Sequence, residues 1–302
     1  MKYTIEQLDN GTRVLARCEG DFVKELPHLL TKVDSIGSNC FDGIREIKEV
    51  VIPKHIKSIG ENAFWACGVQ KVVFENDVIK IERGAFGNNE ITEIDLPAKC
   101  MIYPNAFKNN NIEHLFIPKN CALVDWTFQE MPYLKSVEIE EGFKGTLTGT
   151  FDYCRALEQV KLPTSMSNIG VRMFGNCSSL QSIEIPEGVK RIGDYAFTGC
   201  ENLSQIKFPS TLQQINRGAF DDCKLIKSVI VPEYCRIGED AFADGVEIKR
   251  VDYKEQRIIK NLIDFFSKTT TINDLNSEEV VDWLQKHEVK DDCTETQHET
   301  LN

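Results

Sequence analysis

Phenylalanines recur along this chain at an almost constant interval. Ten of them, each 21 to 23 residues after the last, form the series Phe41, Phe64, Phe86, Phe107, Phe128, Phe151, Phe174, Phe197, Phe220 and Phe242. Six follow an alanine, and five precede a cysteine by three positions, at Cys67, Cys154, Cys177, Cys200 and Cys223. Self-similarity with a period of roughly 20 to 50 residues is typical of stacked repeat units, so the pattern predicts a solenoid.

Each repeat also contains an alternating run that predicts a β-strand. Runs such as Val160–Leu162 and Ile183–Ile185 place apolar residues on one face and a charged residue on the other. A proline follows the run in seven repeats and ends the strand, because proline has no N–H to donate to a sheet. A second apolar pair comes next, as in Val189 and Ile192, and is followed by a glycine turn.

The segment alanine–phenylalanine–x–x–cysteine closes the unit. It is expected to form a short helical turn that places its phenylalanine in the core. One unit of this length cannot bury its own apolar face, whereas stacked units can, with neighbouring strands about 4.8 Å apart. The sequence therefore predicts a single β-rich solenoid of about ten repeats over residues 22–253, with phenylalanine stacked on phenylalanine and cysteine on cysteine.

This consensus resembles the BspA-like leucine-rich repeat family, which has the same proline after the strand and the same turn around phenylalanine and cysteine. The resemblance covers about Phe22 to Tyr253, and Asp9–Thr12 is similar to the hairpin turn that opens many members. It implies a leucine-rich repeat solenoid and an adhesive or partner-binding role. Members of the family are mostly bacterial or protist proteins, many of them on the cell surface.

The two ends differ from the repeats. Residues 1–21 alternate around Asn10 and predict a β-hairpin, interpreted as an N-terminal cap because solenoid ends need a polar cover. Residues 254–288 have apolar residues at helical spacing and a helix start at Ser277, which predicts a C-terminal helical cap or, alternatively, a partner-binding appendage. Residues 289–302 are acidic, lack aromatic residues and are expected to be disordered.

The repeats between Cys100 and Gly149 are irregular. Their spacing falls to 21 residues, Trp126 and Phe143 appear, and Thr146–Thr150 replaces the usual glycine turn. Such irregularity is typical of a bend or of a specialised binding region. Simple drift in a tolerant array is the alternative.

Charge and cysteine usage narrow the function. A net charge of −12 repels phosphate backbones and anionic membranes, so a nucleic-acid partner is not expected. The polar start predicts no secretory signal, and no window approaches the ~18 apolar residues of a membrane span. Eleven cysteines without a C-x-x-C pair are interpreted as buried, reduced core thiols rather than redox or metal sites. The cytoplasm or another reducing compartment is therefore predicted, although the family resemblance implies a surface location.

The outward positions of the predicted strands form one exposed row, here called the front ladder: Val51, Val73, Asp95, Phe116, Glu138, Lys161, Glu184, Lys207, Ile230 and Asp252. An exposed aromatic residue among charges is typical of a binding hot spot, although isolated exposed apolar residues are also ordinary on sheets. The alternating charges of the second half predict cross-strand ion pairs. The candidate partner-binding residues are Val73, Asp95, His114, Phe116, Lys161 and Glu184.

Catalytic patterns are missing from the sequence. The five histidines lie at unrelated phases of the repeat, and neither a G-x-S-x-G nor a Walker element occurs. No catalytic residue, metal or cofactor is expected. The sequence favours a non-catalytic scaffold that binds a protein partner and is monomeric or weakly self-associating. The alternatives are a self-associating spacer and a surface-type adhesin exported by an unrecognised route.

Overall fold

The computed structural model describes residues 2–20, 24–145 and 147–253 of the chain. The helix α1 spans Leu26–Leu30. The strands in chain order are β1 Lys2–Gln7, β2 Arg13–Glu19, β3 Ser35–Ile36, β4 Glu49–Ile52, β5 Ser58–Ile59, β6 Lys71–Phe74, β7 Val78–Ile81, β8 Lys99–Ile102, β9 His114–Ile117, β10 Ala122–Leu123, β11 Ser136–Ile139, β12 Gln159–Lys161, β13 Asn168–Ile169, β14 Ser182–Glu184, β15 Arg191–Ile192, β16 Gln205–Lys207, β17 Gln214–Ile215, β18 Ser228–Pro232, β19 Arg236–Ile237 and β20 Glu247–Val251.

The strands form two faces of a β-solenoid. The predicted strands lie on the front face in all repeats but the one at Glu93, which forms an isolated bridge, and they are divided into the groups β4–β6, β9–β11–β12, β14–β16 and β18–β20. The second member of the next apolar pair, such as Ile192, also lies in a short strand in most repeats, and these strands make up the back face. The back face comprises a seven-stranded sheet, β1-β2-β3-β5-β7-β8-β10, and a four-stranded sheet, β13-β15-β17-β19. Its interruption falls between β10 and β13, within and just after the repeats that the sequence marks as irregular.

The predicted N-terminal hairpin is present. Strands β1 and β2 pair antiparallel, and β2 continues into the back sheet by pairing parallel with β3. An ion pair of 3.1 Å between Arg13 on β2 and Asp34, just before β3, joins the hairpin to the first repeat. The side-chain hydrogen bond from Arg13 lowers the pKa of Asp34 to about 2. The role of the hairpin as a cap stays a prediction. The predicted helical cap over 254–288 and the acidic tail 289–302 lie outside the described residues.

The ten phenylalanines form one continuous stack along the solenoid axis. Successive ring centroids lie 4.9 to 6.2 Å apart, and every pair is close to parallel. Nine of the rings are completely buried, while Phe242 at the last turn is partly buried. The widest separations, 6.2 Å, flank Phe128 in the irregular repeats. The predicted phenylalanine core is therefore confirmed.

The turn around each phenylalanine depends on left-handed backbone. The residue two positions before the phenylalanine has a positive φ in all ten repeats, and the residue two positions after it has one in nine. Glycine, asparagine and aspartate suit this conformation, but Trp126 and Tyr195 also adopt it. Each of these two rings covers a glycine one repeat later, Gly149 and Gly218, where an added Cβ would lie 2.1 and 2.4 Å from ring carbons. A glycine is thus required wherever the preceding repeat places an aromatic ring over the turn.

The repeated cysteine has a more specific role than filling the core. The thiol of Cys154 donates to the carbonyl of Phe128, 3.2 Å away in the preceding repeat, and Cys177 and Cys200 do the same to their preceding phenylalanines. These carbonyls are buried, so an absent donor would carry a desolvation cost. The thiol is a donor small enough to fit this position.

Two repeats use asparagine at the same position. Asn89 and Asn110 are buried, and their amide nitrogens donate to the carbonyls of the preceding phenylalanines at 2.8 and 2.9 Å. Their amide oxygens also accept backbone N–H groups, as Asn110 does from Ile91 at 3.0 Å. Each asparagine therefore donates to a phenylalanine carbonyl and accepts from a backbone N–H. It does so where the repeats are shorter than the others.

One cysteine pair contradicts the expectation of reduced thiols throughout. Cys100 and Cys121 form a disulfide between adjacent repeats, whereas the other eight described cysteines are free and buried. The prediction was wrong for this pair. The two residues replace the first member of the second apolar pair in consecutive repeats, so stacking places their side chains directly against each other.

The stack predicts a large cavity effect. Phe197→Ala is expected to lower the free energy of unfolding by about 3–5 kcal/mol, because it opens a cavity between two rings that cannot close on each other. Urea unfolding followed by far-ultraviolet circular dichroism measures the change. The matched control is Phe116→Ala, the same substitution at a side chain that is 47% exposed. A loss below ~1 kcal/mol for Phe197→Ala would show that the stack does not hold the fold.

The asparagine position predicts a graded response. Asn110→Ala is expected to cost about 1–3 kcal/mol, because the carbonyl of Phe86 and the N–H of Ile91 lose their partner. Asn110→Cys restores the donor alone and should lose less in the same unfolding measurement. Equal losses for the two variants would contradict the proposed equivalence of cysteine and asparagine.

Candidate functional site

The centre of the front ladder is a three-stranded parallel sheet. Strands β9, β11 and β12 bring Phe116, Glu138 and Lys161 side by side in register. Leu115 and Ile117 point inward and are buried, so the alternation of the strand forces Phe116 outward. Its ring is 47% exposed, which confirms that it stands on the surface.

The N-terminal part of the ladder is less charged. Val51 on β4 pairs with Val73 on β6. A β-bridge between Lys71 and Glu93 continues the same register, so Asp95 lies beside Val73 in the next repeat. Asp95 is exposed, and no hydrogen bond or ion pair joins it to another residue in the described part of the chain. Val73, Asp95, His114 and Phe116 are called the front patch below.

Ion pairs neutralise the cations of the ladder. Lys161 lies 2.6 Å from Glu138, and Lys207 contacts Glu184 in the neighbouring repeat. Hydrogen bonding to Glu184 raises the pKa of Lys207. These predicted cross-strand pairs are therefore present. Because both members are exposed, such pairs contribute little to stability, but they leave the C-terminal half of the ladder without an unpaired cation.

The last rung differs from the prediction. Lys249, not Asp252, stands opposite Ile230. The final repeat has three residues fewer between its phenylalanine and its strand than the repeat before it. An alignment that keeps the earlier spacing therefore pairs the wrong residues of the last strand with β18. Ile230 is 51% exposed and is a second large apolar side chain on the ladder, which the sequence analysis placed in the row but did not select.

A histidine and a serine meet beside Phe116. The Nδ1 of His114 lies 2.7 Å from the Oγ of Ser136 on the next strand. A catalytic pair would also need a group that orients the histidine and a pocket that holds a substrate. Within the described ranges no third side chain forms a hydrogen bond or ion pair with the imidazole, and the hydrogen bond lies at the surface. The arrangement orients the histidine ring on the surface.

The described residues contain neither a cluster of metal ligands nor a membrane-spanning helix. Within 2–20, 24–145 and 147–253, no three histidine, cysteine, aspartate or glutamate side chains come together as metal ligands would. None of the helices within those ranges has the length and apolar character needed to cross a bilayer.

The two-faced stack, the phenylalanine ladder and the outward row of the front strands define a leucine-rich repeat solenoid. The family described as "BspA type Leucine rich repeat region" matches residues 25–135, 101–225 and 169–288, with six copies of the repeat. The chain belongs to this family. Its members are generally non-enzymatic, and no catalytic function is indicated.

A solved structure has the same fold, and two others are similar in sequence. A leucine-rich repeat protein from Bacteroides ovatus is 22% identical and has a TM-score of 0.55, with 83% of this chain and 76% of that one aligned. A leucine rich cell surface protein from Faecalibacterium prausnitzii is 25% identical, has a TM-score of 0.44, and aligns over 75% of this chain and 65% of its own length. The pneumococcal vaccine antigen PcpA is 20% identical, has a TM-score of 0.47, and aligns over 76% of this chain and 69% of its own. A comparison with curated protein sequences finds no match.

Proposed function

We propose that the protein is a non-catalytic scaffold that binds a protein partner through the front patch. The observation that carries the proposal is Phe116, a large aromatic side chain held outward by a rigid parallel sheet. Such residues supply much of the energy in protein interfaces because they bury a large area and lose little conformational entropy.

The surroundings of Phe116 support this assignment. Ser136 holds His114 in place, and Glu138 is already paired with Lys161, so neither neighbour must reorganise when a partner arrives. A surface that is ordered before binding avoids part of the entropic cost of association. Lys161 and Glu184 lie at the C-terminal margin of the surface and contribute a polar rim.

The front patch also indicates the chemistry of the partner. Asp95 is a carboxylate without a neutralising cation in the described part of the chain, next to the apolar Val73. A partner that places an apolar side chain over Phe116 and a lysine or arginine opposite Asp95 would complement both groups. The partner we propose is a protein with such an apolar and basic surface.

The binding face can be tested with paired variants. The full chain and its Phe116→Ser variant are immobilised, and proteins retained from the source cells are identified and purified for affinity measurements. Removing a hot-spot side chain is expected to weaken binding about 30-fold, equivalent to ~2 kcal/mol. Asp95→Asn should weaken the same complex, with an effect that shrinks as salt is raised.

The matched control is Met101→Ser on the back sheet, where the methionine is 42% exposed. It should leave the affinity unchanged. If Met101→Ser weakens binding and Phe116→Ser does not, the back face binds the partner and the front-patch assignment is wrong.

The location of the protein is part of the proposal. We propose that it functions in an oxidising compartment such as the cell surface, since disulfides persist there and are reduced in the cytosol. The bond between Cys100 and Cys121 supports this reading over the reducing compartment that the sequence suggested.

Alkylation of intact source cells before lysis tests the location. Peptide mapping without reductant should recover Cys100 and Cys121 as one linked pair. Recovery of both as alkylated thiols would favour a reducing compartment, and the binding proposal would be unaffected.

A further inference from the structure

Two thiols meet where the hairpin joins the first repeat. The Sγ of Cys40 donates to the Sγ of Cys18 at 3.6 Å, and the backbone N–H of Cys18 donates to the carbonyl of Cys40 at 3.1 Å. The two residues are 22 positions apart, which is one repeat. We propose that Cys18 and Cys40 are a second disulfide-forming pair, which ties the N-terminal hairpin covalently to the first repeat.

The backbone geometry suits the bond. Cys40 lies in a turn, and its carbonyl accepts the backbone N–H of Cys18, so the two backbones adjoin at about the 4.8 Å spacing of neighbouring repeats. This is within the Cα–Cα separation of about 4.4–6.8 Å that disulfides require. The two sulfur atoms must approach by roughly 1.5 Å to reach the bonded distance of about 2.05 Å, a movement that side-chain rotation supplies.

The thiols of the other stacked cysteines donate to backbone carbonyls. Cys177 and Cys200 are also one repeat apart, but each thiol donates to a phenylalanine carbonyl, at 3.3 and 3.1 Å. Cys67, which lies near Cys40, donates to the carbonyl of Phe41 at 2.9 Å. In the pair Cys18 and Cys40 one thiol donates to the other, whereas Cys200 and Cys223, which also interact, each donate to a phenylalanine carbonyl.

Solvent exposure also distinguishes Cys18 from the cysteines deeper in the stack. Cys18 keeps 7% of its surface exposed at the end of strand β2, whereas the cysteines from Cys154 to Cys200 are completely buried. Cys18 is therefore the point at which we place the entry of a small oxidant. Cys40, which is 1% exposed, is reached through Cys18.

The reaction is a thiol–disulfide exchange with a low-molecular-weight disulfide such as oxidised glutathione. The thiolate of Cys18 attacks one sulfur of the oxidant and releases one small thiolate. The thiolate of Cys40 then attacks the Cys18 sulfur of the mixed disulfide and releases the second. Two protein thiols are oxidised, one small disulfide is reduced to two thiols, and the two protons pass to those thiols. The hydrogen bond to Cys18 and burial raise the pKa of Cys40, so the second step should quicken as pH rises.

The bond would strengthen a narrow attachment. Strand β2 pairs with β3 over only two rungs, Val14 with Ser35 and Leu15 with Ile36, in addition to the ion pair of Arg13 with Asp34. A cross-link over this short loop limits the freedom of the unfolded hairpin and so favours the attached state. The end of the repeat stack would then be closed covalently.

Peptide mapping of the folded full chain tests the proposal. The protein is incubated with glutathione at increasing ratios of the oxidised to the reduced form, quenched with acid, alkylated and digested without reductant. A linked peptide containing Cys18 and Cys40 is expected, with Cys177 and Cys200 alkylated only after unfolding. Recovery of Cys18 and Cys40 as free thiols, at a ratio that keeps Cys100 and Cys121 linked, would overturn the proposal.

A matched variant checks the order of the reaction. In Cys40→Ser the second step is blocked, so Cys18 should accumulate as the mixed disulfide with glutathione. Circular dichroism verifies that this variant remains folded. If Cys18 in the folded variant stays unmodified, the oxidant does not reach it and the proposed route is wrong.

The structural effect has its own measurement. Limited proteolysis should cleave the hairpin several-fold more slowly in the oxidised chain than in the reduced chain. The double variant Cys18→Ser with Cys40→Ser should be cleaved at the same rate in both conditions. Equal cleavage of the oxidised and reduced wild-type chain would show that the bond does not secure the hairpin.

Discussion

The axial stacking of one repeat on the next, at the spacing set by parallel strands, is the constraint on which the other features depend. Each repeat must place a flat ring, an inward apolar pair and a closed turn directly over the same features of the preceding repeat. The phenylalanine stack meets the first condition, since adjacent rings lie 4.9 to 6.2 Å apart and nearly parallel. The carbonyls of seven of these phenylalanines accept from a cysteine or asparagine of the next repeat, and this donor keeps their burial from being unfavourable.

The same constraint explains the surface that we propose as a binding site. Strict alternation in β9 buries Leu115 and Ile117 and leaves Phe116 outside, so the core of the solenoid fixes the position of the exposed ring. The neighbouring ion pair between Glu138 and Lys161 is a consequence of the register between β11 and β12. A rigid framework of this kind presents a binding surface whose residues are in place before a partner arrives.

Cysteine has three different roles in the solenoid, and its position in the repeat decides which one applies. After the phenylalanine, the thiol of a residue such as Cys200 donates to a backbone carbonyl. In the second apolar pair, Cys100 and Cys121 lie against each other and are bonded. At the junction with the hairpin, Cys18 and Cys40 contact each other as thiols. The residue type alone does not distinguish these roles, because the difference lies in which group the stacked neighbour presents.

The sequence by itself determined the repeat, the front strands, the buried phenylalanines and the outward position of Phe116, because these follow from periodicity and alternation. It did not determine the back strands, since two-residue strands such as Arg191–Ile192 are too short to show a period. It also misplaced the final rung, because the shortened last repeat shifts the register to Lys249. The disulfide, the carbonyl partners of the cysteines and the pairing of His114 with Ser136 depend on contacts between residues one or more repeats apart. Only the tertiary structure decides such contacts, because it brings together side chains whose separation along the chain carries no local signal.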